Sequence, residues 1–151
     1  MNAPTQQERL AHRCSESLHR RYNAAQMLGI RILESGPGHC ELAMEVTAAM
    51  LNGHGVCHGG LLFALADTAL AHASNSRNKL SVASICTIDF LRSAEAGTVV
   101  IASAMERFHG RRKSSSDVEL RDDKTRLIAL FRGETVSTDA AVIREGDSCN
   151  D

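Results

Sequence analysis

No Cys-x-x-Cys pair occurs among the five cysteines, Cys14, Cys40, Cys57, Cys86 and Cys149, and their number is odd. That pattern excludes a zinc ribbon and a disulfide framework, and fits free thiols in a reducing cytosol. Charge of one sign is also missing: 17 basic residues face 18 acidic ones, for a net charge of −1. No global field therefore favours nucleic acid or an anionic membrane. The first fourteen residues contain no apolar leader core, and the longest apolar run, residues 61–73, is too short to span a bilayer. The chain is read as soluble and cytoplasmic. Repeats, low-complexity tracts and a second domain are absent, and 151 residues form one domain of ordinary size, able to bury about 68–70% of its unfolded surface without staples.

What is present is concentrated in residues 52–75, NGHGVCHGGLLFALADTALAHASN. From Gly59 to Ala73 almost no polar residue interrupts any face, the pattern of a helix enclosed on all sides. Asp67 is the exception. A carboxylate among Leu62, Phe63, Leu65, Ala66, Ala69 and Leu70 must lose hydration, which disfavours its charged form and makes it a candidate for chemistry. Gly59 and Gly60 are poor interior helix residues and mark the helix start. Backbone N–H groups there have no intrahelical acceptor and carry partial positive charge, which suits a developing oxyanion. Asn52 and His58, just upstream, add side-chain donors. Gly59 and Asp67 are eight residues apart, roughly 12 Å along a helix axis. Hydrogen-bond reach to one reacting atom is about 3 Å. If both act on one carbonyl, the site is shared between two antiparallel copies of the helix.

The flanks read as wrapping. Leu10, Cys14, Leu18, Tyr22 and Ala25 recur every three or four residues within 5–28, predicting one amphipathic helix. A hairpin follows, with Cys40, Leu42, Met44 and Val46 alternating with polar residues after a Gly-Pro-Gly tip. Beyond the central helix, which should end between Ser74 and Asn78, four strand-like runs cover 80–91, 97–108, 114–121 and 125–137. Two strands, one buried helix and four strands make an α+β order with a single, mainly antiparallel sheet. Residues after 138 turn polar and are expected to fray.

The stretch NGHGVCHGGLLFALADTALAHASNS followed by VASICTIDFLRSAEAG resembles the PaaI branch of the hotdog-fold acyl-CoA thioesterases. The likeness covers residues 20–137, and its HGG-x6-D core is fairly specific to that branch. The resemblance implies a long helix wrapped by a curved sheet; with the residue patterns above, the chain divides into an N-terminal helical segment over 1–28, the hotdog domain over 29–137 and a polar tail over 138–151. It also implies side-by-side pairing of subunits into dimers and of dimers into tetramers. The activity implied is hydrolysis of arylacetyl- or hydroxyarylacetyl-coenzyme A in phenylacetate degradation, with neither metal nor bound cofactor. Asn52 and the Gly59 N–H fall on family positions that polarise the thioester carbonyl, and Asp67 on that of the acid from the other subunit. Related enzymes place a water-holding serine on the strand after the helix. Ser84 stands beside that position, which Ala83 occupies when the strands are aligned on Phe90. Arg111, Arg112 and Lys113 match a basic segment that contacts coenzyme A phosphates.

Each signal also has a plainer reading. Asp67 can be a buried acid in an interface network, the paired glycines can serve close packing, His58 can be a local cap, and the Arg-Arg-Lys run can be a solvated turn. His54, Cys57 and His58 invite a metal, but His72, fourteen residues beyond His58, lies about 21 Å along the helix and cannot complete that site. Cys57 has no identifiable base and suits a small buried apolar role. A hotdog hydratase or dehydratase, and a non-catalytic acyl-CoA binding module, are the competing functions; neither would release a free thiol.

Overall fold

The computed structural model describes residues 2–147. Thr5 and Glu8 form a capping box, in which each backbone N–H donates to the other's side chain, and open α1 (Gln6–Arg21). The chain then breaks at Tyr22, whose φ of −86° and ψ of 75° are non-helical, and resumes as the short α2 (Asn23–Met27). The single helix expected over 5–28 is therefore two. The apolar stripe continues across the junction, so periodicity alone does not show the break.

The Gly-Pro-Gly hairpin joins β1 (Arg31–Gly36) to β2 (His39–Glu45), and a 3-10 turn (Ala48–Met50) leads to α3 (Gly59–Ser74). Asn75 ends that helix and positions the next strand at once. Its Nδ2 donates to the carbonyls of Ala71 and Ser81, and its Oδ1 accepts from the Ser81 N–H. The remaining strands are β3 (Ser81–Phe90), β4 (Val99–His109), β5 (Lys113–Arg121) and β6 (Leu127–Ser137). The turn predicted at Asp122-Asp123 is held by Asp122, which accepts from the backbone N–H groups of Lys124 and Arg126 and from the Arg126 guanidinium.

All six strands form one antiparallel sheet in the order β1-β2-β4-β5-β6-β3. Register shifts at Ile32/Glu34, Ala83/Ile85, Glu106/Phe108 and Leu120/Arg121 add twist and curl the sheet. Its inward residues are small where the helix comes closest: Ala102, Ala104, Ser116 and Gly133 are all buried. A Cβ on Gly133 would stand 2.3 Å from Leu70 Cδ2, so this glycine is what lets α3 settle against β6. Leu62, Leu65, Ala66, Ala69, Leu70 and Ala73 fill that contact. Burying each leucine contributes about 2 kcal/mol. A helix enclosed by a curved antiparallel sheet is the hotdog arrangement expected from the resemblance. Among the described residues, no helix is long and apolar enough to cross a membrane.

The tail does not fray as far as Asp147. Asn78 Oδ1 accepts from the N–H groups of Val142 and Ile143, and Val142 is fully buried. Asp147 accepts from Ser17 and from Arg21, while Arg21 also donates to the Val142 carbonyl. The polar composition of this stretch is thus used for docking onto α1. Residues 148–151, including Cys149, lie outside the described residues.

Candidate active site

The loop before α3 is built by Asn52. Its Oδ1 accepts from the N–H groups of His54 (2.9 Å) and Val56 (3.4 Å), while its own N–H donates to the Val56 carbonyl. With the carbonyl oxygen committed to the loop, Nδ2 is left to donate outward. His58 is the N-cap of α3, and its Nδ1 accepts from the Gly60 N–H at 2.9 Å. An accepting Nδ1 places the ring proton of the neutral imidazole on Nε2, so the cap presents a donor to solvent. The local-cap reading and the donor reading of His58 are compatible.

The two glycines have separate reasons. A Cβ on Gly60 would sit 3.0 Å from the His58 ring, and one on Gly59 would meet the Phe90 ring at 2.9 Å. Gly59 keeps the helix end open beside an aromatic ring from β3; Gly60 keeps the capping imidazole in place.

Asp67 sits two turns further along α3 and is half-buried. Gly60, Ala64, Asp67 and Ala71, spaced by four, three and four residues, form one incompletely covered stripe of the helix, with Leu61 and Phe63 also partly buried. Burial pushes the Asp67 carboxyl above its ordinary value. The groups that feel its charge are the Tyr22 phenol and the Cys86 thiol of β3, both pushed up chiefly by their own burial and further by Asp67. Ser84 is exposed at the β3 bulge, and its Oγ donates to the Glu134 carbonyl at 3.2 Å.

Arg111, Arg112 and Lys113 sit at the exposed β4–β5 turn. The Gly110 N–H donates to the Lys113 carbonyl, Lys79 Nζ to the Arg111 carbonyl and the Ser137 N–H to the Arg112 carbonyl. The backbone is held, and among the described residues none of the three side chains is in an ion pair. Cys57 is buried, with its thiol raised by burial, as suits a packing role. Among the described residues, no three His, Cys, Asp or Glu side chains gather as metal ligands.

Sequence reasoning did not bring Tyr22, Cys86 and Phe90 to the central helix and its surroundings. Tyr22 was legible only as a member of an apolar stripe, although it is the sole tyrosine. A donor-bearing helix end and a half-buried acid on the central helix of a hotdog fold fit one class: a hotdog enzyme acting on an activated carbonyl.

The thioesterase superfamily matches residues 54–129. Over 129 residues, the chain is 43% identical to the acyl-coenzyme A thioesterase PaaI of Escherichia coli, covering 83% of this chain and 92% of that one. The structure of the E. coli PaaI protein from the phenylacetic acid degradation operon superposes with a TM-score of 0.82 at 42% identity, covering 87% of this chain and 98% of that one. The structure of a point mutant of the phenylacetic acid degradation protein PaaI from Thermus thermophilus gives 0.74 at 40% identity, covering 77% and 99%. The chain belongs to the thioesterase superfamily, in its PaaI-like hotdog branch, and is an acyl-CoA thioesterase.

Proposed function

We propose that this enzyme hydrolyses arylacetyl-coenzyme A thioesters, of the phenylacetyl or hydroxyphenylacetyl kind, at sites shared between two copies of the chain. The substrate class rests on similarity to PaaI proteins of phenylacetic acid degradation. One observation carries the shared site: the Gly59 N–H and Asp67 belong to one continuous helix, Gly59–Ser74, roughly 12 Å apart along its axis. An antiparallel second copy brings the helix end of one chain to the acid of the other. Two further features support the pairing. The stripe around Asp67 is made of small residues that allow close approach. Among the described residues the outer edge of β3 has no neighbouring strand, and β3 exposes Val82, Ile85 and Phe90. The same reading extends to a tetramer built from two such dimers.

In the reaction the Gly59 N–H and Asn52 Nδ2 hold the thioester oxygen, with His58 Nε2–H beside them. These donors gain most when the oxygen becomes anionic, so they lower the barrier rather than merely bind. The Asp67 carboxylate of the other copy takes a proton from water as its oxygen attacks, or attacks the carbonyl itself to give an anhydride that water opens. Either way the C–S bond breaks, the acid is released, and the coenzyme A thiolate takes a proton. Arg111, Arg112 and Lys113 meet the phosphates outside, and the exposed Ser84 orders water at the site margin. No cofactor or metal is needed for any of these steps.

Mixing Asp67→Ala with Asn52→Ala tests the arrangement. In a mixed dimer one site receives both intact residues and the other receives both lesions. With free exchange, half the dimers are mixed and half their sites whole, so activity should recover to roughly a quarter of wild type. Exchange is verified by mass tagging. If exchange is complete and the mixture is no more active than the mean of the two mutants, Asp67 does not serve a neighbouring chain.

A further inference from the structure

Two polar clusters lie outside the residues used above, and they differ in access. The one at the seam of α1 and α3 is enclosed: Ser15 Oγ is 2.6 Å from His72 Nδ1, both residues are buried, and His72 Nε2 has no hydrogen-bond partner among the described residues. The other opens to solvent where the loop after α3 meets the β4–β5 turn.

Three elements are tied together there. The Gly38 N–H at the β1–β2 tip donates to Ser76 Oγ at 2.8 Å, and the Glu106 N–H of β4 donates to the Gly38 carbonyl at 2.8 Å. A Cβ on Gly38, whose φ is +72°, would stand 3.1 Å from Glu106 Oε1 and 3.2 Å from Arg77 Nη2, so glycine permits this approach. The Glu106 side chain is only 5% exposed; Oε1 lies 2.6 Å from Arg77 Nη1, and Oε2 lies 3.4 Å from His109 Nδ1. The Arg77 charge is thus answered by a buried acid.

Lys79, two residues on, has no such partner. Its Nζ donates to the Arg111 carbonyl at 3.0 Å, across 32 residues of sequence. Strand pairing creates this contact: Ser137 pairs with Ser81 at the start of β3, and its N–H donates to the Arg112 carbonyl at 2.7 Å. The residues just before β3 are therefore carried to the β4–β5 turn. An ammonium has three donors, of which the Arg111 carbonyl takes one. Among the described residues, Lys79, Arg111, Arg112 and Lys113 are in no ion pair, and all four are at least partly exposed. Four positive charges from two loops meet at one turn with no acid paired to them. Their mutual repulsion is a cost that a bound polyanion removes.

We propose that Lys79 is a fourth phosphate-binding residue, acting with the β4–β5 turn of its own chain on the nucleotide phosphates of coenzyme A thioesters. This rests on the reading of Arg111, Arg112 and Lys113 as phosphate contacts. Lys79 adds a cation from outside that turn, and its position sets the phosphates on the side of the turn that faces the start of β3. Its bond to the Arg111 carbonyl restrains the side chain beforehand, so less ordering is lost on binding.

The test compares thiol release from phenylacetyl-coenzyme A and from phenylacetyl-pantetheine, which lacks the nucleotide and its phosphates. Lys79→Gln keeps a donor for the Arg111 carbonyl and removes the charge, whereas Lys79→Arg keeps the charge. The ratio of kcat/KM for the first substrate to that for the second should fall about fivefold in Lys79→Gln, the scale of a partly exposed charge pair, through KM for the coenzyme A thioester. It should stay within about twofold of wild type in Lys79→Arg. Equal falls in the two variants would make Lys79 a support of the turn rather than a ligand, and overturn the proposal. Arg112→Ala is assayed alongside. A ratio that falls in Arg112→Ala but not in Lys79→Gln removes only the present inference, whereas a ratio unmoved in both removes the reading of the turn as well.

Discussion

His72 should couple stability to pH, and the amount follows from its surroundings. Burial first, and the neighbouring His19 second, hold its pKa down at about 4 against an ordinary 6.5. The side chains that face it are Ser15, His19 and Tyr22 from the N-terminal helices and Thr68 from its own. None is an anion that would hold a proton on it. The folded pKa is lowered, so the unfolded chain takes up a proton as pH falls through 6.5 while the folded chain does not until about 4. Stability is complete above that window and declines within it by about 1.4 kcal/mol per pH unit, in total about 3 kcal/mol. Urea unfolding of wild type and His72→Asn, at one protomer concentration because assembly contributes, isolates this residue from other titrating groups. Near pH 7.5 the wild type should be more stable by about 1–2 kcal/mol, since the smaller amide leaves space and loses the Tyr22 stack. That advantage should shrink by about 2 kcal/mol by about pH 4.5. Two curves that run parallel across this range would refute the linkage and the partnerless state of His72 Nε2.

Asp67→Asn should retain fold and assembly while losing most turnover. Because burial raises the Asp67 pKa, the wild-type acid limb of kcat/KM should lie above the ordinary carboxylate value, and this substitution should remove it from the residual activity. Arg111→Ala and Arg112→Ala should raise KM about tenfold for coenzyme A thioesters and leave short thioesters without the nucleotide within about twofold. Equal effects on both substrates would detach the turn from phosphate binding.

The parts of the fold that were legible are those whose period belongs to a single element. Alternation in Cys40, Leu42, Met44 and Val46 predicts β2, and the unbroken apolar run predicts α3, because burial on one or all faces writes itself directly into residue order. The helix start was legible because two adjacent glycines are unfavourable inside a helix and tolerated at its end. What stayed hidden depends on contacts between distant segments. The α1–α2 break costs little locally and is fixed by Tyr22 packing across to α3, which no spacing rule encodes. The tail reads as polar and loose, yet its polar groups find Asn78, Ser17 and Arg21. Asp67 and Asn52 were identified from a buried charge and a family motif; Phe90 stands beside Gly59 only because β3 pairs with β6 at the sheet edge.

The costs carried by α3 are spread unevenly around its axis, and their placement bears on how the helix is used. The sheet-facing side holds Leu62, Leu65 and Leu70, each contributing about 2 kcal/mol of burial. The unfavourable groups lie at other points: Gly59 and Gly60 at the start, the desolvated Asp67 on a half-covered stripe, and His72, seven residues beyond Leu65 and on its face, with an unmatched Nε2. The glycines cost little at the helix start, and an unpaired buried polar atom costs about 1–3 kcal/mol. That loss is smaller than what the three leucines supply. The packed side therefore anchors the helix strongly enough for the other side to hold groups chosen for chemistry. Substitutions of the buried leucines should therefore act on stability, whereas substitutions at the helix start and at Asp67 should act on turnover.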